Sequence, residues 1–269
     1  MGESNRMYAG MLDTYSMLSG IDVSYKTVER LYFDEEVTMA LHNLHVLILK
    51  KKGVGEKEEG SDASGDGTGY SLTITKHYES VTRELKDMAK EEQGERQDEE
   101  GGESSLPQQP PKEETKKRAF AYSFRLMDLP TRMHLAYGSS LKSEKEAFDR
   151  AMKMLSRIGG VTLDSVRLGR YCSTPAYLDL FGRETKVYVI PRSNATLNGS
   201  WRRKEVMIDF VKNTTEYLEQ YYRRENSESG FAADKKMLGW SIAQRREDRI
   251  DCTNFCTGLW HNLFNFSTL

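Results

Sequence analysis

The stretch Ala119-Phe-Ala-Tyr-Ser-Phe-Arg-Leu-Met127 has large apolar side chains at every second position. A turn sequence, Asp128-Leu-Pro-Thr131, follows it, and Met133, Leu135 and Tyr137 then alternate in the same way. Strict alternation is typical of strands that bury one face. The sequence therefore predicts an antiparallel hairpin of two half-buried strands.

A helix and further strands are predicted after this hairpin. Ser143, with Glu146 three residues later, is a capping box that predicts a helix N-terminus, and the glycines at 159–160 predict its end. Apolar runs predict strands at 161–168 and 186–190. A short helical or looped piece is predicted around residues 177–181, and helical segments are predicted at 201–222 and 231–266. Two strands followed by alternating helix and strand predict an α/β fold, a mixed sheet flanked by helices.

Residues 1–52 predict an N-terminal helical segment. Gly20 ends the first helix, Ser24 caps a short second one, and Asp34 caps a third that ends in three lysines. The spacing is that of a helix-turn-helix. Six basic residues against seven acidic ones in this segment favour a plain helical packing unit over a DNA reader.

Charge is distributed unevenly along the 269 residues. The net charge is -2, which excludes a uniformly basic protein that coats nucleic acid. Residues 84–118 are of low complexity, with seven acids and one base between 91 and 104, and they predict a disordered acidic insertion. Before this insertion, residues 53–83 are expected to begin the α/β domain, and their Gly-rich stretch could hold an edge or central strand. Residues 119–269 are expected to form the remainder of that domain.

No membrane span or export signal is expected. The longest apolar stretch, 44–49, is far too short to cross a bilayer, and the N-terminus has no signal pattern, which favours a cytoplasmic location. The three cysteines lack zinc-site spacing, since only Cys252 and Cys256 are near each other. They are expected to be small buried apolar residues in a reducing compartment.

Three places carry residues suited to chemistry, and the first is Gly65-Asp-Gly-Thr-Gly69. Glycines beside Asp66 leave room for a metal ion and a phosphate near the carboxylate. Composition alone favours a different interpretation, an Asp-Gly turn in a polar loop.

The second place is the set Tyr221, Arg224, Glu228 and Lys235. In a helix their spacing puts all four on one stripe. Glu228 would then act as a metal ligand, Arg224 and Lys235 as phosphate clamps, and Tyr221 as a hydrogen-bond donor. The alternative is an exposed ion pair of Arg224 with Glu228, and Gly230 would interrupt the stripe if it breaks the helix.

The third place is the basic, aromatic region 183–250, with fourteen Lys and Arg against ten Asp and Glu. Arg192, Arg202 and Arg203 can contact backbone phosphates, and Trp201 can stack on an unpaired base. The alternative interpretation is that Trp201 is buried in the core and that the neighbouring cations are simply solvated.

The spacing Tyr-x2-Arg-x3-Glu-x6-Lys resembles the signature of a large group of DDE transposases from prokaryotic insertion sequences. The surrounding residues 228–235, 239–240, 244–249 and 260–264 are similar to the C-terminal part of such enzymes, and 65–69 is similar to their first acidic motif. The resemblance covers roughly residues 25–266. It implies a ribonuclease-H-like catalytic domain, in agreement with the element order.

The resemblance also implies three carboxylates that bind two divalent ions, Mg²⁺ or Mn²⁺. The first is Asp66 and the third is Glu228. The second is expected at a strand end where this chain has Gly169. The nearest carboxylate, Asp164, has the opposite strand parity and would serve only through a bulge. We therefore expect weak or no strand cleavage, with DNA binding retained.

The function implied is a transposase that cuts double-stranded DNA at the element ends and joins it to target DNA, as a homodimer when it pairs two ends, close to the nucleoid. One alternative is a structure-specific nuclease on the same fold, which would cut branched DNA without joining it. The other is a non-catalytic DNA-binding remnant, which Gly169 favours.

Overall fold

The computed structural model describes residues 5–32, 34–54, 60–72, 120–244 and 246–267. The predicted acidic insertion at 84–118 lies outside the described residues. No helix in the described part is both long and apolar enough to cross a membrane.

The N-terminal segment is helical, as predicted. Helices α1 (Asn5–Ser19), α2 (Tyr25–Leu31) and α3 (Glu35–Lys51) follow one another. Ser24 and Asp34 cap α2 and α3 by accepting hydrogen bonds from backbone N–H groups of the first turn. Helix α3 enters the core, where His45 bonds the Leu135 carbonyl at 3.0 Å. Whether α1 and α2 form a DNA-reading unit stays a prediction.

A six-stranded mixed sheet forms the centre of the fold. Its strands are β1 (Ser61–Leu72), β2 (Phe120–Asp128), β3 (His134–Ser140), β4 (Leu163–Leu168), β5 (Lys186–Val189) and β6 (Ser241–Ile242). The order is β3-β2-β1-β4-β5, and β6 pairs with the far end of β1. Strands β1, β2 and β3 are antiparallel neighbours, whereas β4 and β5 run parallel to β1.

Strand β1 is the central strand despite its composition. Gly65, Asp66 and Gly67 pair with Leu126, Arg125 and Phe124 of β2. The alternative of an Asp-Gly turn in a polar loop is therefore wrong. A Cβ on Gly65 would lie 2.6 Å from the Phe124 ring, so the glycine lets the aromatic core approach the backbone.

The predicted hairpin is confirmed as β2 and β3, but its strands are buried on both faces rather than one. Helix α4 (Glu144–Arg157) packs on both strands, and it begins at Ser143, which accepts from the Glu146 N–H as predicted. The opposite side of the hairpin is covered by the C-terminal helix α9 (Glu247–Ser267).

The remaining helices are α5 (Pro175–Leu178), α6 (Trp201–Lys212), α7 (Thr214–Tyr222) and α8 (Glu225–Leu238). In this region Val206, Tyr217 and Tyr221 are buried, whereas Thr214 is exposed. Gly230 does not break α8. It lies inside the helix, where a Cβ would overlap the Met127 methyl group, so the glycine lets α8 approach β2 closely.

Candidate functional site

The candidate site lies along an uncovered edge of β1. Strand β4 ends at Leu168, which pairs with Gly65, and β6 joins β1 only from Ser71. Between Gly65 and Ser71 no described strand pairs with this edge of β1, and Asp66 is the first residue of the uncovered stretch. Space beyond the carboxyl ends of parallel strands is a common place for ligands.

Arg224 joins the two acids that the sequence singles out. Its Nη1 donates to Asp66 Oδ1 at 2.9 Å, and its Nη2 donates to Glu228 Oε1. The Asp66 side chain is 21% exposed and that of Glu228 is 51% exposed. Folding thus brings a residue of β1 and a residue of α8 to opposite sides of one guanidinium group.

Gly169 borders the space beside Asp66 and Arg224, which we call the hollow. A Cβ built on it would lie 3.9 Å from both Asp66 Oδ1 and Arg224 Nη1, which is ordinary contact distance. The backbone φ of Gly169 is -59°, a value that any residue adopts. A side chain at this position would therefore point at Asp66 without strain.

Burial is the main cause of a raised pKa at Asp66. The positive charge of Arg224 opposes this effect, and the negative charge of Glu228 adds to it. Asp66 and Glu228 therefore repel each other, and the positive charge of Arg224 opposes that repulsion.

The other two residues of the stripe have different environments. Lys235 Nζ donates to Thr68 Oγ1 at 2.6 Å and to the Gly69 carbonyl at 3.1 Å, so α8 is fastened along β1. Tyr221 is buried, and the Arg224 guanidinium lies 5.9 Å from the centre of its ring. The predicted single helix is divided here: Tyr221 lies near the end of α7, Arg224 is the N-cap of α8, and Glu228 and Lys235 lie within α8.

Asp164 lies elsewhere. It is exposed at the start of β4, where the chain pairs with Ser61 and Asp62 of β1. It lines an open cavity of about 330 Å³ at that end of the sheet. Four residues of strand, about 13 Å, separate it from Leu168. The structure therefore does not bring Asp164 to Asp66.

Sequence reasoning missed Glu144, the first residue of α4. A Cβ on Gly67 would overlap its Oε1 atom, so this carboxylate lies directly against the backbone next to Asp66. Burial raises the pKa of Glu144, and the charge of Asp66 raises it further. The only local signal was its position in the first turn of a predicted helix, which the helix dipole alone explains.

Comparison with known proteins gives the family. Over 265 residues the chain is 44% identical to a protein of Archaeoglobus fulgidus described as a probable transposase for insertion sequence element ISA1214. The alignment covers 98% of this chain and 70% of that relative. This chain belongs to the insertion-sequence transposases. No protein-family model matches the transposase, and no solved structure does.

A second buried cluster in this transposase surrounds Asp234 of α8. Its carboxylate pairs with Arg125, His134 and His261, the last at 2.7 Å. The imidazoles and Asp234 offer ligand atoms within 4.8 Å of one another, as a metal site would. These atoms already hydrogen-bond one another, and the Arg125 guanidinium lies among them. The group is therefore best explained as an internal anchor that fixes α8 against β2, β3 and α9.

The basic region of the transposase is only partly as predicted. Trp201 is 67% exposed, so the interpretation of a buried Trp201 is wrong. Arg202 donates to the Thr185 carbonyl, and Arg203 donates to the carbonyls of Ser173, Thr196 and Asn198. Arg192 donates to the Tyr171 carbonyl at 3.3 Å and lies over the Tyr171 ring. These arginines fasten surface loops in the structure described.

Proposed function

We propose that this chain is a DDE-type transposase that cleaves double-stranded DNA at the ends of its insertion sequence and joins them to target DNA. The observation that carries the proposal is the meeting of Asp66, Arg224 and Glu228 at the open edge of β1. The family membership supports DNA as the substrate, and the strand order supports a ribonuclease-H-like fold.

The donor set fits a hard divalent cation. Carboxylate oxygens are what Mg²⁺ and Mn²⁺ prefer, and Asp66 and Glu228 both present theirs to one hollow. The bound cation would supply activation of a water or a 3' hydroxyl and stabilisation of the leaving oxygen. In this assignment Asp66 and Glu228 hold it, with the Arg224 guanidinium as its neighbour.

Arg224 and Lys235 are assigned to the DNA backbone. A guanidinium donates two parallel hydrogen bonds to phosphate oxygens, and a lysine acts as a point charge. Both groups line the same edge of β1 as Asp66, so a strand laid along that edge would meet them in turn. Tyr221 lies against Arg224 and orients it. Trp201 and Arg192 are assigned to more distant DNA contacts. Arg202 and Arg203 support these contacts by holding the neighbouring loops in place.

Cleavage by this chain is expected to be weak, because Gly169 stands where the resemblance puts a carboxylate. The position faces Asp66, so an aspartate there would complete three acids. Strand nicking is measured on labelled element-end DNA with and without Mg²⁺, comparing the wild-type chain with Gly169→Asp and Asp66→Asn. We expect Gly169→Asp to increase nicking and Asp66→Asn to abolish it. Equal activity of all three proteins would contradict the assignment.

The same observation supports a second function, a DNA-binding remnant without turnover. It predicts end-specific binding, as a homodimer on paired ends, that does not depend on Mg²⁺. The same gel assay distinguishes the two functions. Metal-dependent nicking by the wild-type chain supports the enzyme, and end binding without nicking supports the DNA-binding remnant.

A further inference from the structure

A cavity of about 440 Å³ lies at the β3 edge of the sheet, where α3 and α4 contribute to its lining. In the strand register Tyr137 of β3 pairs with Arg125, and Arg125 pairs with Asp66. Neighbouring strands lie about 4.8 Å apart, so the β3 side of the cavity is about 10 Å from the strand that carries Asp66. The cavity is therefore separate from the candidate site, and its volume is typical of small-molecule sites.

One wall of this cavity is aromatic. The rings of His42 and Tyr137 line it, and both stack on the buried Phe255, with centroids 4.2 and 4.9 Å from its centre and planes within 16° and 27° of its plane. Burial is the main cause of a lowered pKa at His42, so its imidazole is neutral at pH 7. Nearly parallel, uncharged rings suit the stacking of another flat ring, such as a nucleobase.

Polar groups beside this wall have hydrogen-bonding capacity that the described residues do not use. Asp251 of α9 lines the cavity and accepts from Ser139 through Oδ1, whereas no described residue donates to its Oδ2. The Tyr137 hydroxyl also forms no hydrogen bond with the described part of the chain, although this side chain is only 9% exposed. Since buried polar groups are normally paired, these groups indicate a ligand that carries hydrogen-bonding atoms.

A second wall carries positive charge. Arg150, Lys153 and Arg157 of α4 line the cavity, and their spacing of three and four residues places them on one helix face. Arg150 is paired with glutamates. Lys153 and Arg157 are exposed and form no ion pair with any residue that the structure describes. Two cations on one face, beside an aromatic wall, suit a phosphate group.

We propose that this cavity binds a nucleotide. The base lies against the rings of His42 and Tyr137 and donates its exocyclic amine to Asp251, and the phosphate lies between Lys153 and Arg157. The nucleotide is either a free mononucleotide or an unpaired nucleotide at a DNA end, because both present the same base and phosphate. The inference goes beyond the proposed cation site and does not depend on it.

The test is calorimetric titration of the full chain with 2'-deoxyadenosine 5'-monophosphate, in EDTA so that no metal ion contributes. We expect saturable binding that Lys153→Gln combined with Arg157→Gln weakens about tenfold or more. The matched control, Lys50→Gln with Lys51→Gln, removes two exposed charges of α3 outside the cavity and should bind as the wild type does. Deoxyadenosine lacks the phosphate and should bind the wild type and the cavity variant equally.

The base contacts are tested with further variants. His42→Ala should weaken binding of the mononucleotide and of deoxyadenosine alike, and His42→Phe, which keeps a flat ring, should retain it. Deoxycytidine monophosphate should bind more tightly than thymidine monophosphate, which has a carbonyl in place of the amine. Asp251→Ala should remove that preference. Thermal unfolding of each variant checks that it is folded.

Two DNA duplexes identify the source of the nucleotide, one blunt and one with a single unpaired adenosine. Tighter binding of the second, by a margin that the cavity variant loses, identifies a DNA end. Equal binding of both duplexes, together with binding of the mononucleotide, identifies a free nucleotide. No binding of the mononucleotide and no preference for the unpaired adenosine would overturn the inference, as would equal losses in the cavity and control variants. Asp66→Asn should bind the mononucleotide normally, so a failure of the proposed cation site is distinguishable from a failure here.

Discussion

Asp234 forms an ion pair with Arg125 inside the molecule, where 3% and 1% of the two side chains are exposed. The pair connects α8, which carries Glu228 and Lys235, to β2, the neighbour of the strand that carries Asp66. His134 and His261 complete the environment of the carboxylate. The alignment of the candidate site therefore depends on a buried charge that is not part of it.

Removal of Asp234 should strongly destabilise the fold, because it leaves the Arg125 charge buried without a partner. We expect Asp234→Ala to lower the free energy of unfolding by about 3–5 kcal/mol. Denaturant unfolding measures the change. The control is Asp248→Ala, which removes an exposed ion pair with Arg246 and should cost less than about 1 kcal/mol. Similar losses for both variants would show that the buried pair has no special role.

Stability should fall as the pH is lowered below about 6.5. Burial, followed by the nearby His261, lowers the pKa of His134 from 6.5 to about 3. The unfolded chain therefore binds a proton that the folded chain excludes, and the stabilisation present above pH 6.5 is lost toward pH 3. The slope reaches about 1.4 kcal/mol per pH unit for one such proton. The lowered pKa of Asp234 adds a further loss below about pH 4.

Urea unfolding between pH 7.5 and 4.5 measures this slope. His134→Asn should make it shallower, since one excluded proton is removed, although His42 and His45, whose pKa values burial also lowers, still contribute. A free energy of unfolding that is constant from pH 7.5 to 5 would contradict the prediction.

Gly138 should not tolerate a side chain. A Cβ there would overlap the Ala147 carbonyl and lie 2.5 Å from the Ala151 nitrogen, so β3 and α4 would have to separate. Gly138→Ala is expected to cost about 3 kcal/mol or more in the free energy of unfolding. Gly159, just after α4, has nothing within 4 Å of its Cβ position. Gly159→Ala should change stability by about 0.5 kcal/mol or less, and a comparable loss there would refute the packing argument.

Arg224→Gln should tighten divalent-cation binding and weaken DNA binding. The guanidinium neutralises Asp66 and Glu228, so its removal leaves two carboxylates for a cation. We expect Mn²⁺ affinity without DNA to rise about tenfold, equivalent to about 1.4 kcal/mol. Arg223→Gln is the matched control, since that arginine pairs with Asp62 at 2.7 Å instead. Weaker Mn²⁺ binding by Arg224→Gln would show that Arg224 organises the carboxylates rather than competing for them.

Trp201 should bind unpaired bases without supporting the fold. Trp201→Ala is expected to weaken binding of single-stranded DNA about tenfold, since stacking contributes about 1–3 kcal/mol per base. The free energy of unfolding should change by about 0.5 kcal/mol or less. Val211→Ala, on the same helix and 71% exposed, serves as the control. Equal DNA affinities for the two variants would remove Trp201 from the interface.

Local signals predicted much of the fold. The caps at Ser24, Asp34 and Ser143 and the hairpin of β2 and β3 depend on residues within a few positions of one another, and these elements are confirmed. The sequence of β1 gives only a weak strand signal, because glycine and aspartate are depleted in strands. Its conformation is imposed by β2 and β4, whose residues come far later in the chain.

The candidate site also has a part that local sequence predicts and a part that it does not. The sequence spacing of Arg224, Glu228 and Lys235 predicts their proximity, because Arg224 is the N-cap of α8 and the other two residues lie within it. Neither Glu144 nor the cluster around Asp234 was predicted, since their neighbours lie on other elements, and Arg125 and His134 are 109 and 100 residues away from Asp234 in the sequence. The burial of both faces of β2 and β3 was also missed, because alternation does not reveal a second covering layer.

Every strand that pairs with β1 is synthesised after it: β2 from Phe120, β4 from Leu163 and β6 from Ser241. Until the ribosome adds those residues, the described part of the chain offers no strand to pair with the one that carries Asp66, and Arg224 and Glu228 do not yet exist. A copy of the gene with an early stop codon thus encodes a product with no assembled centre.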